Sequence, residues 1–312
     1  MVWWWTFFTI FILAMLALDL GVFNRKSHII KMKEAMLWTA FWVTLALSFG
    51  TAIYFLYGHG KAIEYVTAYL IEYSLSIDNL FVFMLIFRFF GVPREFEHKA
   101  LFWGILLALI TRAVFIFAGV ALINTFSWVM YIFGAFLIFT GVKMALNKQT
   151  EVHPDKNIAI KLLRYIMPVT KKFSGAKFFI VKRGVRYATP MLAVLLALET
   201  TDILFAIDSI PAVLAISKDP FIVYTSNVFA ILGLRSLFFA ISGLMKLFHL
   251  LHYGLAGILT FVGVKMLIED FFHVPVVASL MVIATILLAS IVSSVIWPEK
   301  EEGEVPPVAM KE

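Results

Sequence analysis

The sequence predicts an all-α membrane protein of about nine transmembrane helices, with two inverted three-helix repeats at its centre. Three observations predict it. First, 62% of the 312 residues are hydrophobic, only 15% are charged, and the mean hydropathy is +0.94; soluble domains run at about 45–50% apolar and about 25% charged. A soluble helical core of this size would lack the polar residues to coat it. Second, apolar runs of about 20 residues recur along the chain, the length that crosses a bilayer as a helix. Third, an acid-bearing stretch inside one such run, Glu72 to Asn79, returns in another as Asp202 to Ser209.

In chain order, the runs predict helices over Val2–Phe23, Glu34–Tyr57, Ile63–Phe90, Lys99–Ile123, Trp128–Leu146, Ala188–Ser217, Phe221–Leu247, Tyr253–Glu269 and Val274–Trp297. The first run has no basic segment or small-residue cleavage site, so it reads as a retained helix with Trp3, Trp4 and Trp5 at the interface. Lysine and arginine set the orientation. Arg25, Lys26, Lys31 and Lys33 lie in the first loop, and Arg88, Arg94 and Lys99 around the third. Lys148, Lys156, Lys161, Arg164, Lys171, Lys172, Lys177, Lys182, Arg183 and Arg186 lie in the fifth. The opposite loops hold little beyond Lys61 and Lys218. The positive-inside rule therefore predicts an external N-terminus and a cytoplasmic C-terminus in the plasma (inner) membrane. The net charge of +6 is explained by these loops, and nothing points to nucleic acid.

The fifth connection is too long for a tight turn. Ile158–Arg164 reads as a short basic amphipathic helix on the inner leaflet, and Phe178–Tyr187 as a hairpin turning near Gly184. The plain alternative is a tether between two halves. The tail from Pro298 is acidic, contains Pro and Gly, and reads as disordered.

The repeat has three landmarks in matching order. Ile77-Asp78-Asn79 matches Ile207-Asp208-Ser209, Arg112 matches Arg235, and Gly141-Val142-Lys143-Met144 matches Gly263-Val264-Lys265-Met266. The first copy is the longer, and a hydrophilic loop from Arg94 to Lys99 accounts for much of the difference. The predicted organisation is one membrane domain. Peripheral helices occupy residues 1–62, the repeats 63–147 and 188–270, the basic connection 148–187, a last helix 271–297 and the tail 298–312. Three helices per copy make the second copy enter from the opposite side, as in many secondary transporters.

Five acids fall deep in predicted spans: Glu72, Asp78, Glu199, Asp202 and Asp208; Asp19 lies nearer the end of the first. Each charge at mid-bilayer costs about 2.5–3.5 kcal/mol unless paired, protonated, hydrated or bound to a cation. Glu199 and Asp202 are three residues apart and share a helix face. Glu72 and Asp78 are six apart, roughly 240° round a helix, as are Asp202 and Asp208. Convergence of all of them therefore requires a local break. Pro211, which cannot donate to the Ile207 carbonyl, predicts one in the second copy; Ser74, Ser76 and Asn79 are the only support for one in the first. Glu199 has no counterpart, because Tyr69 holds its place, so the site should be asymmetric.

Carboxylates with Asn79, Ser209 and accessory Ser76 make a hard-oxygen set for Mn²⁺, Ca²⁺ or Mg²⁺. The chain has no cysteine, which excludes thiolate sites. Its histidines all fall in loops or near predicted helix ends, so none is a mid-membrane ligand. Arg112 and Arg235 either compensate the acids structurally or release a cation by taking its place. Lys143 and Lys265 lie near helix ends, where they can snorkel. No resident cofactor is indicated, and surplus acids suit exchange of a cation against protons.

The acidic motifs Glu72-x5-Asp78-Asn79 and Glu199-x2-Asp202-x2-Phe205-Ala206-x-Asp208-Ser209-Ile210-Pro211-Ala212 resemble those of the TerC family of integral membrane proteins. The likeness spans about residues 10–297 and includes Tyr131–Leu137, Asp219–Val223 and Thr225–Arg235. The resemblance, which is strongest to the family's manganese-exporting branch, implies Mn²⁺ export from the cytoplasm, tellurium resistance in some members, and kinship with LysE-type transporters. The residues themselves reach only a hard divalent cation.

The leading expectation is a secondary active cation exporter. Alternatives are a Ca²⁺ exchanger, a channel, and a scaffold whose basic loop docks membrane-protein partners of a metal or tellurite stress response. An intramembrane protease is disfavoured, because His-Glu-x-x-His, Gly-x-Gly-Asp and Gly-x-Ser-Gly are all absent.

Overall fold

The computed structural model describes residues 2–18, 32–146, 158–170, 172–182, 184–241 and 250–297. The elements run α1 (Val2–Leu18), α2 (Met32–Tyr57), α3 (His59–Phe90), α4 (Arg94–Thr125), α5 (Val129–Leu146), α6 (Ile158–Ile166), β1 (Phe179–Lys182), β2 (Val185–Ala188), α7 (Pro190–Leu214), α8 (Pro220–Ile241), α9 (Leu251–Ile268) and α10 (Val276–Ile296). Eight helices, α2–α5 and α7–α10, are long and apolar enough to cross a membrane. The protein is an all-α membrane protein. Asp19, the predicted end of the first helix, the end of the seventh predicted helix beyond Ile241 and the tail from Pro298 lie outside the described residues.

Two small elements form where the residue pattern places them. In α6, Ile160 and Leu163 are buried while Leu162, Tyr165 and Ile166 are exposed, an amphipathic split. Antiparallel β1 and β2 pair Phe179 with Ala188 and Lys182 with Val185, turning through Gly184 at a φ of 76°.

Two expectations are corrected. The predicted loop from Arg94 to Lys99 is instead the start of α4. The chain turns earlier, at Gly91 in the left-handed region, and Pro93 in extended backbone precedes the helix. Glu95 and Glu97 then lie in the first turn, where acids complement the helix dipole. The predicted breaks are also absent: α3 is continuous through Glu72–Asn79, and α7 runs through Pro211 to Leu214. Pro211 sits in the last turn, and its own carbonyl still accepts from Ala215 N at 3.0 Å. One lost bond this close to a helix end leaves the helix intact.

The helix directions follow from their end contacts. Ser217, just past α7, donates to Glu64 near the start of α3 at 2.5 Å, so α3 and α7 are antiparallel. The Phe117 ring of α4 lies 6.0 Å from the Tyr224 ring of α8, tilted by 33°, which brings the late part of α4 to the start of α8. The helices α3, α4, α7 and α8 enclose the interior, and α8 is the most deeply covered.

Helices α5 and α9 cross at glycine. A Cβ on Gly141 would lie 2.7 Å from the Ala256 carbonyl and 2.5 Å from Thr260 Oγ1. A Cβ on Gly263 would lie 2.6 Å from the Gly134 carbonyl and 2.8 Å from Ile138 Cγ1. Aligning Gly141 with Gly263 also aligns Gly134 with Ala256 and Ile138 with Thr260. The two sets of contacts are therefore reciprocal.

Candidate functional site

Glu72 lies well inside α3 and Asp202 is the middle residue of α7. Both are buried, and between them stands Arg112 of α4, itself 1% exposed. Its Nη2 donates to Asp202 Oδ1 at 3.0 Å and its Nε to Asp202 Oδ2 at 3.3 Å. Its Nη1 donates to Glu72 Oε1 and, at 3.2 Å, to Ser209 Oγ. Asp202 and Ser209 are seven residues apart, two helical turns, so one face of α7 presents both. A planar guanidinium bonded on both sides is the arrangement that lets arginine persist in a low-dielectric interior. Removing one partner from such a cluster leaves an uncompensated charge.

The remaining predicted residues are distributed around this centre. Glu199 shares the Asp202 face and reaches α4, where a Cβ on Gly104 would lie 3.6 Å from Glu199 Oε1. Asp208 turns away and accepts from Thr140 of α5 at 3.3 Å, within electrostatic range of Lys143. Asp78 turns away from Glu72 and lies within electrostatic range of His252 on α9. This divergence is what 240° on an unbroken helix requires. Asn79 and Ser76 are buried on α3, and Arg235 is half-buried on α8. Among the described residues, no group of three or more His, Cys, Asp or Glu side chains is gathered closely enough to hold a metal ion. In this structure the guanidinium is the cation of the site.

Sequence reasoning missed His252. The sequence places it near a helix end, and it is the second residue of α9, but its Nε2 also meets the Met144 carbonyl of α5. The spacing of α5 and α9 in the chain gives no signal for that contact. Lys265 is also corrected. It does not reach out to the interface but is 3% exposed, with Nζ donating to the Ala215 carbonyl at the end of α7 at 3.3 Å. It sits within electrostatic range of Glu269 and Glu64. Nearby, Lys61 pairs with Glu64 at 2.8 Å and with Asp219 at 3.7 Å, so the α3 start, the α7–α8 turn and α9 share one polar network. Lys143, its counterpart in the repeat alignment, is exposed.

The comparisons with known proteins agree with one another. The profile of the integral membrane protein TerC family matches residues 57–302. An uncharacterized membrane protein of Myxococcus xanthus is 52% identical over 292 residues, covering 94% of this chain and 92% of its own. Proteins named Alx, provisionally described as membrane-bound redox modulators, are similar over most of their length. The one from Salmonella typhi is 44% identical and the one from Escherichia coli K12 is 43% identical, each over 92% of both chains. No solved structure matches. The family profile covers most of the chain and includes Glu72, Arg112, Glu199, Asp202 and Ser209, and the chain belongs to the TerC family of integral membrane proteins.

Proposed function

We propose that the protein is a secondary active transporter that exports a hard divalent cation, Mn²⁺, from the cytoplasm in exchange for protons. The observation that carries this reading is the buried cation–carboxylate cluster: Glu72, Asp202 and Ser209 bound to Arg112 at mid-span. The oxygens that hold a guanidinium can hold a hard metal ion when it withdraws, because both depend on anionic oxygen. Glu199, Asp78 and Asp208 lie apart from the cluster and serve as relay acids, taking ions or protons to and from the centre. Arg112 is the counter-ion of the metal-free state.

The reciprocal contacts of Gly141 and Gly263 support two inverted repeats meeting on a pseudo-two-fold axis, residues 63–147 against 188–270. The loop charges support an inner-membrane protein with an external N-terminus. The name of the Alx relatives suggests redox modulation. With no cysteine the chain cannot perform thiol–disulfide exchange itself, so any such effect would follow from the ions it moves.

The test is Mn²⁺ flux in reconstituted vesicles under a proton gradient, wild type beside Asp202→Asn and Asp208→Asn. Uphill flux lost in both variants is expected. Unchanged flux in Asp202→Asn sinks the shared-site reading, and competition with Ca²⁺, Mg²⁺ and Zn²⁺ identifies the ion. A scaffold reading draws on the basic hairpin carrying Lys182 and Arg186, with Lys177 just before it. It predicts that the acid variants are silent in stressed cells and that hairpin deletions are not.

A further inference from the structure

From Ile158 to Thr189 the chain has no acidic residue. Over the same stretch Lys161, Arg164, Lys172, Lys177, Lys182 and Arg186 are all exposed. Among the described residues none of them pairs with a carboxylate, whereas Lys61 and Arg112 both do. Lys177, Lys182 and Arg186 line one open concavity with Ser174 and Phe179. The Arg186 guanidinium lies over the Phe179 ring at 4.4 Å. That contact uses the ring face and leaves the N–H donors of the guanidinium free for an anion.

The hairpin is tied to the start of α7. Thr189 N donates to the Phe178 carbonyl at 2.9 Å and Thr189 Oγ1 to the Lys177 carbonyl at 2.5 Å, immediately before Pro190 opens the helix. From Ala188 to Val185 the strand covers about 10 Å, so the hairpin reaches no further than that beyond α7. The polar layer of a bilayer is about 5–8 Å deep on each side. The hairpin cations therefore stand at headgroup depth.

Helix α6 is held at the same end. Its Leu163 is buried with Ala188 and Ala193, beside the first turn of α7. On the side away from the protein, Leu162, Tyr165 and Ile166 are exposed, Tyr165 by 90%. At 3.6 residues per turn these three form an apolar arc about 100° wide, and Lys161 and Arg164 run along one edge of it. An apolar arc edged by cations is the pattern of a helix lying in the membrane interface.

We propose that α6 and the β1–β2 hairpin form one docking surface for anionic phospholipid. Lys177, Lys182 and Arg186 take the headgroup phosphates, and Leu162, Tyr165 and Ile166 sit at the acyl boundary. The inference is independent of the ion transported. A water-soluble acidic partner would match the cations alone; a lipid matches the cations and the apolar arc together.

The test compares phosphatidylglycerol with phosphatidylcholine of the same acyl chains on the purified full chain in detergent, with bound lipid counted by native mass spectrometry. The wild type is expected to hold phosphatidylglycerol in preference. Combining Lys177→Gln, Lys182→Gln and Arg186→Gln is expected to weaken that preference about fivefold for each cation removed. Lys218→Gln removes an exposed cation beyond the other end of α7 and is expected to leave it unchanged. An unchanged preference in the triple variant overturns the assignment, and so does displacement of the lipid by inorganic phosphate at equal concentration. The chain has no cysteine, so Tyr165→Cys accepts a single nitroxide label at an exposed position. In phosphatidylglycerol nanodiscs the label is expected to be relaxed more by oxygen, which partitions into acyl chains, than by a water-soluble nickel chelate. The reverse order overturns the seating of α6.

Discussion

Arg112 and Asp202 meet fork to fork, Nη2 to Oδ1 at 3.0 Å and Nε to Oδ2 at 3.3 Å, and both side chains are buried. A second carboxylate, Glu72, bonds the other side of the same guanidinium. One arginine therefore bridges two acids contributed by two helices that are distant in sequence. In the proposed cycle a divalent metal ion and Arg112 compete for the same oxygens.

That competition gives Arg112→Met a distinctive signature. Without metal, two buried carboxylates lose their cation, and stability should fall by about 3–5 kcal/mol. With saturating Mn²⁺ the ion supplies the missing charge, so the variant should regain more thermal stability than the wild type gains. Thermal unfolding in detergent with and without Mn²⁺ measures both effects. A variant as stable as the wild type without metal contradicts the counter-ion role.

The acids should separate by position. Asp202→Asn removes a bidentate partner of Arg112 and is expected to abolish Mn²⁺ binding measured by calorimetry. Asp208 bonds only Thr140 among these groups, so Asp208→Asn should retain binding while losing uphill flux. Equal loss of binding in both variants would place Asp208 in the primary coordination shell and contradict its relay role.

The crossing of α5 and α9 has no room for a methyl group. Alanine normally favours a helix over glycine by about 0.5–1 kcal/mol. At Gly141 and Gly263 the new Cβ would meet backbone carbonyls at 2.7 and 2.6 Å, and backbone cannot swing aside. Gly141→Ala and Gly263→Ala should each cost about 1–3 kcal/mol, the usual scale of overpacking. Gly60, where an added Cβ would have nothing within 4 Å, should tolerate alanine and serves as the control. Similar losses at the two crossing glycines are what reciprocal contacts require; denaturation of the three variants in one detergent compares them.

The membrane class and most helix limits were legible because hydropathy and basic loops report directly on the solvent each segment meets. The amphipathic α6 and the turn at Gly184 were legible from local pattern. The site was legible in its residue types and less so in its assembly. Buried charge and repeat alignment pointed to Glu72, Arg112 and Asp202, yet the expected convergence of Asp78 and Asp208 assumed breaks that α3 and α7 do not have. Pro211 was a misleading signal because a proline in a last turn costs a helix little continuity. His252 and Lys265 gained their places through packing between helices remote in sequence. No local spacing encodes such a contact.

Lys265 shows how such packing can be tested. Its Nζ donates to the Ala215 carbonyl, at the end of α7 where carbonyls lack helical partners. A cation there also complements the negative end of the helix dipole, an effect that reaches about 2 kcal/mol in partly buried settings. Glu64, itself bonded to Ser217 and Lys61, supplies the nearby balancing charge. Lys265→Met keeps the buried chain length and removes the charge. It should leave the α7 middle unchanged and release its last turn, with faster amide exchange at Val213 to Ser217 and little change around Asp202. Hydrogen exchange read peptide by peptide distinguishes this from general destabilisation, which would accelerate exchange along the whole helix. Lys143→Met, at the exposed counterpart, should alter neither region.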